Sequence, residues 1–344
     1  MGHGPVPFPS PFTIMLHKLL LFALALLALP AAAQSVYSAT DPLAHTFSVV
    51  ARDAKTGEMA VAVQSHWFSV GTSVSWAEAG VGVVATQSFT NKSFGLRGLA
   101  LLKSGKTAQQ ALDELLAADE GREVRQVAIL DNQGRVATHT GKKCVDMAGH
   151  QQGPQFSVQA NMMLNNTVWG AMAKAYEASA NLPLAERALA ALDAAQAAGG
   201  DIRGRQSAAL LVVRSTATEG PWADRLVDLR VDDSPAPLPE LRRLLKLHRA
   251  YDHMNAGDLA VEKNDMPTAI QEYQAAEKMF PQNLEMKYWH AITLANKQQL
   301  PAALALLKPI FQQEPNWRVL TERLPKVGLL TVSDAELRQI LALK

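Results

Sequence analysis

With 344 residues, 48% of them apolar and 19% charged, the chain has the make-up of a globular protein of about two domains. Its formal net charge is +1 and it has no basic run or basic–aromatic stripe, which sets nucleic-acid binding aside. A single cysteine, Cys144, excludes an internal disulfide and a cysteine-based zinc site.

From the N-terminus, Met15 and Lys18 precede an uncharged apolar run, Leu19 to Ala33, with Ala31, Ala32 and Ala33 standing before Gln34. This pattern predicts an upstream extension and signal peptide over residues 1–33, cleaved before Gln34 or Ser35. The run is shorter than the ~20 residues of a bilayer span. The expectation is an exported protein, periplasmic or secreted, with no stable membrane span.

Short apolar or β-branched runs at Phe47–Arg52, Met59–Gln64, Ser73–Trp76 and Val81–Thr86 predict closely spaced strands, the first two forming a hairpin across Asp53–Gly57. Phe94–Lys103 and Thr107–Ala117 have helical spacing, with Gly105 as a stop and Thr107 as N-cap. Val124–Leu130 and Arg135–Thr140 predict a second hairpin, and Phe156–Ala160 a further strand. Helices over Thr167–Ala178 and Pro183–Ala198 and strands over Ala208–Arg214 and Arg225–Val231 complete an α+β domain.

A Pro-rich break at 232–239 leads into an all-helical region. There Gly257, Ala269, Tyr273, Ala276 and Pro281 recur 34 residues later as Ala291, Ala303, Leu307, Ile310 and Pro315. This register resembles a pair of tetratricopeptide repeats, with helices near Leu238–Tyr251 and Ser333–Leu343 as caps. The divisions expected are a short pro-segment or linker at 34–45, a domain at 46–235 and a repeat tail at 236–344. The tail is expected to bind a protein partner or a second copy of the chain.

Three polar features stand out. The Gly199–Ser207 segment contains Asp201, Arg203, Arg205 and Gln206, suited to gripping a substrate carboxylate or ammonium or, equally, to forming a solvated turn. Gln64 and Ser65 end one strand. Gln159 and Asn161 end another and are candidate oxyanion donors. The histidines, His66, His139 and His150 among them, have no metal-binding spacing, and no phosphate-binding loop is present. No cofactor is expected.

The stretches Thr46–Asp53, Ala62–Ser65, Trp76–Gln87, Gly95–Gly98, Ser157–Gln159 and Gly199–Ala208, in this order, resemble the domain-of-unknown-function family numbered 1028. That family is placed among the N-terminal-nucleophile hydrolases. The resemblance implies a four-layer αββα sandwich followed by the all-α tail, and hydrolysis of a small amide or peptide. It implies Thr46 as nucleophile and favours the substrate-pocket reading of Asp201, Arg203, Arg205, Gln206 and Ser207; from their places at strand ends, Ser65 is a candidate to assist proton transfer and Asn161 to donate to the oxyanion. Such a nucleophile must be the first residue of the processed chain, so a second cut between His45 and Thr46 is required. The alternative is a non-catalytic ligand-binding or scaffold protein in which Thr46 is an ordinary strand residue.

Overall fold

The computed structural model describes residues 43–44 and 46–344, so the signal-peptide and upstream readings lie outside the described residues. Two antiparallel sheets form the first domain. The six-stranded sheet has the order β11-β10-β3-β2-β9-β8: β11 Arg225–Val231, β10 Ser207–Val213, β3 Met59–Ser65, β2 Thr46–Arg52, β9 Phe156–Ala160 and β8 Gly149–Gly153. The five-stranded sheet runs β1 Leu43–Ala44, β5 Gly82–Phe89, β6 Arg125–Asp131, β7 Val136–Thr140, with β4 Ser75–Glu78 also on β5.

Alternation along the strands sorts their side chains into two cores. In β2, Phe47, Val49 and Ala51 join Ala60 and Ala62 of β3 beneath the helices α4 (Val168–Ala178) and α5 (Leu184–Ala197). Val50, Val61 and Val63 point the other way, meeting Val83, Ala85, Ala128 and Leu130 of the facing sheet. The outer side of that sheet, Val84, Val127 and Ile129, is covered by α2 (Ser93–Lys103) and α3 (Ala108–Ala117). Because β2 and β3 are buried on both faces, they read as continuous apolar runs. Thr107 caps α3 by a reciprocal box with Gln110.

The structure departs from the expected elements in three places. Gly71–Val74 is a short helix, α1, so the strand expected at Ser73–Trp76 begins two residues later, as β4; Val70 and Val74, four residues apart, both turn into the inter-sheet core. Strand β8, Gly-His-Gln-Gln-Gly, has no apolar residue to signal it and is held by its backbone pairing with β9. The helix after the Pro-rich break, α6, runs unbroken over Pro237–Glu262. Its Leu238, Leu241 and Leu245 complete the core under the six-stranded sheet, and its Ala250, Met254 and Ala260 start the helical tail.

In the tail, α6 packs on α7 (Met266–Met279), and α8 (Leu284–Asn296) on α9 (Leu300–Gln313); α10 (Asn316–Arg323) and α11 (Asp334–Leu341) follow. The small residue at 257 permits the first close pairing, since a Cβ there would lie 2.6 Å from the Tyr273 ring. Among the described residues no helix is long and apolar enough to cross a membrane.

Several buried polar atoms on the helix-covered side lack a partner among the described residues, the Tyr176 hydroxyl among them. Burial pushes its pKa up to about 12, with the Arg187 guanidinium 4.1 Å from the ring centroid. Removing an unpaired buried hydroxyl while keeping the ring leaves packing intact. Tyr176→Phe is therefore expected to leave stability unchanged or raise it by about 1 kcal/mol. A loss of that size in urea unfolding would show that the hydroxyl is paired.

Candidate functional site

The heads of three adjacent strands align polar residues in one row. Thr46 of β2 lies opposite Ser65 of β3, and Ser65 lies opposite Ser207 of β10. All three are fully buried and stand at the inter-sheet positions of their strands. The Thr46 carbonyl accepts from the Asn161 backbone N–H at 3.1 Å and from Gln87 Nε2 at 3.2 Å. Ser207 serves a structural tie: its hydroxyl donates to the Trp67 carbonyl and accepts from Val70 N at 3.0 Å, fixing the turn that enters α1.

Behind Thr46 a network of neutral amides and hydroxyls spans the two sheets. Gln126 is its hub. Its Nε2 donates to Thr140 Oγ1 at 2.9 Å and to the Ala160 carbonyl at 2.9 Å. Its Oε1 accepts from Gln87 Nε2 at 2.6 Å and from Asn161 Nδ2 at 2.9 Å. Gln87 Oε1 accepts from Ser48 Oγ at 2.6 Å, and Ser48 Oγ accepts from Gln159 Nε2 at 2.6 Å. Gln159 is thus engaged within the sandwich, while the Asn161 amide lies against Thr46. The position of Asn161 at the end of β9 anchors it to the strand head; the following helix α4 begins seven residues later at Val168.

None of these groups carries charge. The nearest ion pairs lie at the margin: the buried Arg125 holds Asp119 at 2.8 Å and donates to the Phe89 carbonyl at the end of β5. Among the described residues the side chains that donate to the Thr46 carbonyl are the neutral amides of Gln87 and Asn161.

The Gly199–Gln206 segment folds over the end of β3, one residue past Ser65. The buried Asp201 carboxylate accepts from His66 N at 3.1 Å and binds Arg203 through Nε at 3.1 Å and Nη2 at 2.8 Å. Gly200 makes the tight entry possible, with φ of +63° and the Gln196 side chain 2.7 Å from where a Cβ would stand. Arg205 is exposed, and Gln206 Nε2 turns outward to Asp233 at 3.1 Å.

The structure therefore brings together Thr46, Ser65, Ser207 and Asn161, with Asp201 and Arg203 adjoining through His66. It leaves Arg205 and the Gln206 amide at the periphery. Sequence reasoning passed over Ser48, Gln87 and Gln126. Their signal was a polar residue near one end of a largely apolar strand, toward the start of β2 and β6 and toward the finish of β5 and β9. The Cys144 thiol is buried, its pKa raised by that burial, and it donates to the Arg125 carbonyl at 3.4 Å. Among the described residues no cluster of His, Cys, Asp or Glu could hold a metal.

His150, on β8, touches the edge of the network through Thr140 Oγ1 at 2.8 Å. Burial, and secondarily the charge of His139, lower its pKa below the usual 6.5. Between the lowered folded value and the unfolded value the unfolded chain binds more protons, so this group's effect on stability falls as pH drops below about 6.5. His150→Gln is expected to flatten the acid side of the melting-temperature profile. An unchanged acid slope would dismiss the histidine as its source.

Comparison with known proteins follows the same part of the chain. The model of a family of unknown function, DUF1028, matches residues 46–241. The crystal structure of protein SPO2555 from Silicibacter pomeroyi, assigned there to the same family model, is 32% identical to this chain. The match covers 59% of this chain and 88% of that one, with a TM-score of 0.53. No curated protein is recognisably similar to the chain.

Proposed function

The chain belongs to the DUF1028 family, and from that premise together with the strand-head geometry we propose an amide hydrolase of the N-terminal-nucleophile type, acting on a small amide or peptide through Thr46. The αββα reading is carried by helices packed on the outer faces of two apposed sheets. The observation that supports the chemistry best is the position of Thr46: first residue of a central strand, beside Ser65, with its carbonyl fixed by Asn161 and Gln87 in a neutral, buried setting.

In this reading the chain is exported by its first 33 residues and later cut before Thr46. The freed α-amine, with a reference pKa of roughly 7.7–8.0, takes the proton from Thr46 Oγ1. The Oγ1 atom attacks the amide carbon and forms an ester, and the proton passes to the departing amine. Water then cleaves the ester and restores the hydroxyl. Ser65 assists proton movement. The Asn161 amide is the candidate donor to the developing oxyanion. Asp201 positions Arg203, whose guanidinium is the candidate grip for a substrate carboxylate at the mouth.

A second reading rests on one observation: β1, Leu43–Ala44, upstream of Thr46, pairs with β5 at Phe89 and Ser88 of the facing sheet, so residues ahead of the nucleophile take part in the fold. Unprocessed, the domain is a non-catalytic ligand-binding scaffold. In either case the tail is read as a tetratricopeptide-like pair that docks a protein partner or another copy. Mass spectrometry of the exported protein, with hydrolysis assays on chains beginning at Gln34 and at Thr46, tests the proposal. Activity confined to the Thr46 chain supports the enzyme. A mature chain that begins at Gln34 or Ser35 and hydrolyses nothing supports the scaffold.

A further inference from the structure

Strand β11 has an unusual division of its side chains. Val227 and Val231 enter the helix-covered core, with Leu226 and Leu229 packed against it. Its other face, toward the interior of the sandwich, carries Asp228 opposite Leu211 and Arg230 opposite Ala209, and Arg225 follows past a bulge. Charges on an inward face are tolerable only if no strand covers them. Among the described residues the facing sheet ends at β4 on this flank, leaving a groove of about 390 Å³ between the two sheet edges.

The groove has two unlike walls. One is apolar, made by Trp76, Leu96 and Leu99, with Ala209 and Leu211 as floor. The other is the charged row. Asp228 accepts from Arg225 Nη1 at 2.6 Å and from Arg230 Nη2 at 3.0 Å, so one carboxylate faces two guanidiniums. Glu78 also lines the groove, but Lys103 matches it at 2.5 Å. Within this row of described residues two guanidiniums share one carboxylate. The Arg230 stem passes beside α1: a Cβ on Gly71 would lie 2.5 Å from the Ala209 Cβ and 3.3 Å from that stem, while the guanidinium end leaves the side chain 42% exposed.

We propose that this groove is a second binding site, separate from the Thr46 row, for a small organic carboxylate with an apolar body. The carboxylate sits on Arg225 and Arg230, and the body lies against Trp76 and Leu96. Helix α1 stands between the two sites. Ser207, in the Thr46 row, fixes its entry at Val70, and Gly71 faces the groove.

The test is titration of the full chain with 3-phenylpropionate, followed by calorimetry and tryptophan fluorescence, with 3-phenylpropanamide and sulfate as controls. Saturable binding of the carboxylate is expected, with the neutral amide weaker by about tenfold because the charge-assisted hydrogen bonds are lost. The double variant Arg225→Gln/Arg230→Gln is expected to lose a similar factor. Leu96 is 64% exposed, so Leu96→Glu tests the apolar wall without threatening the fold, and it too should weaken the carboxylate. Thr46→Ala should leave this affinity unchanged, which separates the groove from the hydrolase reading. The proposal is overturned if 3-phenylpropionate does not saturate the wild-type chain. It is equally overturned if the arginine and Leu96 variants bind as well as the wild type, or if sulfate binds as tightly as the carboxylate.

Discussion

Thr46→Ala, in a chain that begins at residue 46, is expected to abolish amide hydrolysis, lowering kcat by about 10³-fold or more. The loss has a specific origin. Alanine keeps the α-amine and the strand but removes the hydroxyl that, in the proposed mechanism, forms the ester. Thr46→Val sharpens the test, because it keeps the β-branched shape that suits a buried strand and exchanges the hydroxyl for a methyl. It should fold as the parent does and be inactive. Thr46→Ser should retain part of the activity, since a hydroxyl remains. The pH profile of the parent should rise through the amine's titration, at or below its reference value of roughly 7.7–8.0, because burial disfavours the protonated form. Hydrolysis at the parental rate by the Thr46→Val chain would sink the nucleophile assignment. Ser207 would then be a poor replacement, its hydroxyl being committed to Trp67 and Val70.

How far the sequence foretold this arrangement differs from element to element. Strands β2, β3, β9 and β10 are apolar runs bounded by turn residues, and their pattern was legible because both faces are buried. The capping box of α3 was legible because Thr107 and Gln110 act within one turn. Strand β8 was not, since Gly-His-Gln-Gln-Gly is held by a neighbour's backbone and leaves no periodicity. The continuity of α6 was also hidden. The helix serves two cores in succession, so its apolar stripe changes direction near Ala250 and reads as two pieces. In the site, the hairpin across Asp53–Gly57 puts Ser65 beside Thr46 from local signals, but the alignment of Ser207 with them depends on a long-range strand pairing that no local signal encodes. Gln87 and Gln126 matter through one another, at a sequence separation of 39 residues, and a linear reading does not pair them.

That pairing leads to the largest expected effect on stability. Gln126 is buried and satisfies five groups at once: Thr140, the Gly149 and Ala160 carbonyls, Gln87 and Asn161. Gln126→Leu removes both the donor and the acceptor at nearly constant volume, leaving the partners facing a methyl group. Each buried polar group so orphaned costs about 1–3 kcal/mol, and with some partners relaxing toward one another the net loss is expected to be about 3 kcal/mol or more. Urea unfolding measures it, and a loss below about 1 kcal/mol would mean that the network contributes little. The double variant Gln87→Leu/Gln126→Leu discriminates further. Removing both members of the 2.6 Å bond leaves fewer unmatched groups than either single change implies, so its cost should be smaller than the sum of the two. Function should follow the same wiring. Gln126 orients Gln87 and Asn161, and both touch the Thr46 carbonyl, at 3.2 Å and 3.5 Å through their side-chain amides. In the Thr46-initiated chain a milder change, Gln126→Asn, shortens the hub by one methylene and lets the nucleophile drift. It is expected to lower kcat about tenfold or more with little change in KM, because positioning acts on the chemical step and leaves ground-state binding alone. A rise in KM at constant kcat would place Gln126 in substrate binding instead.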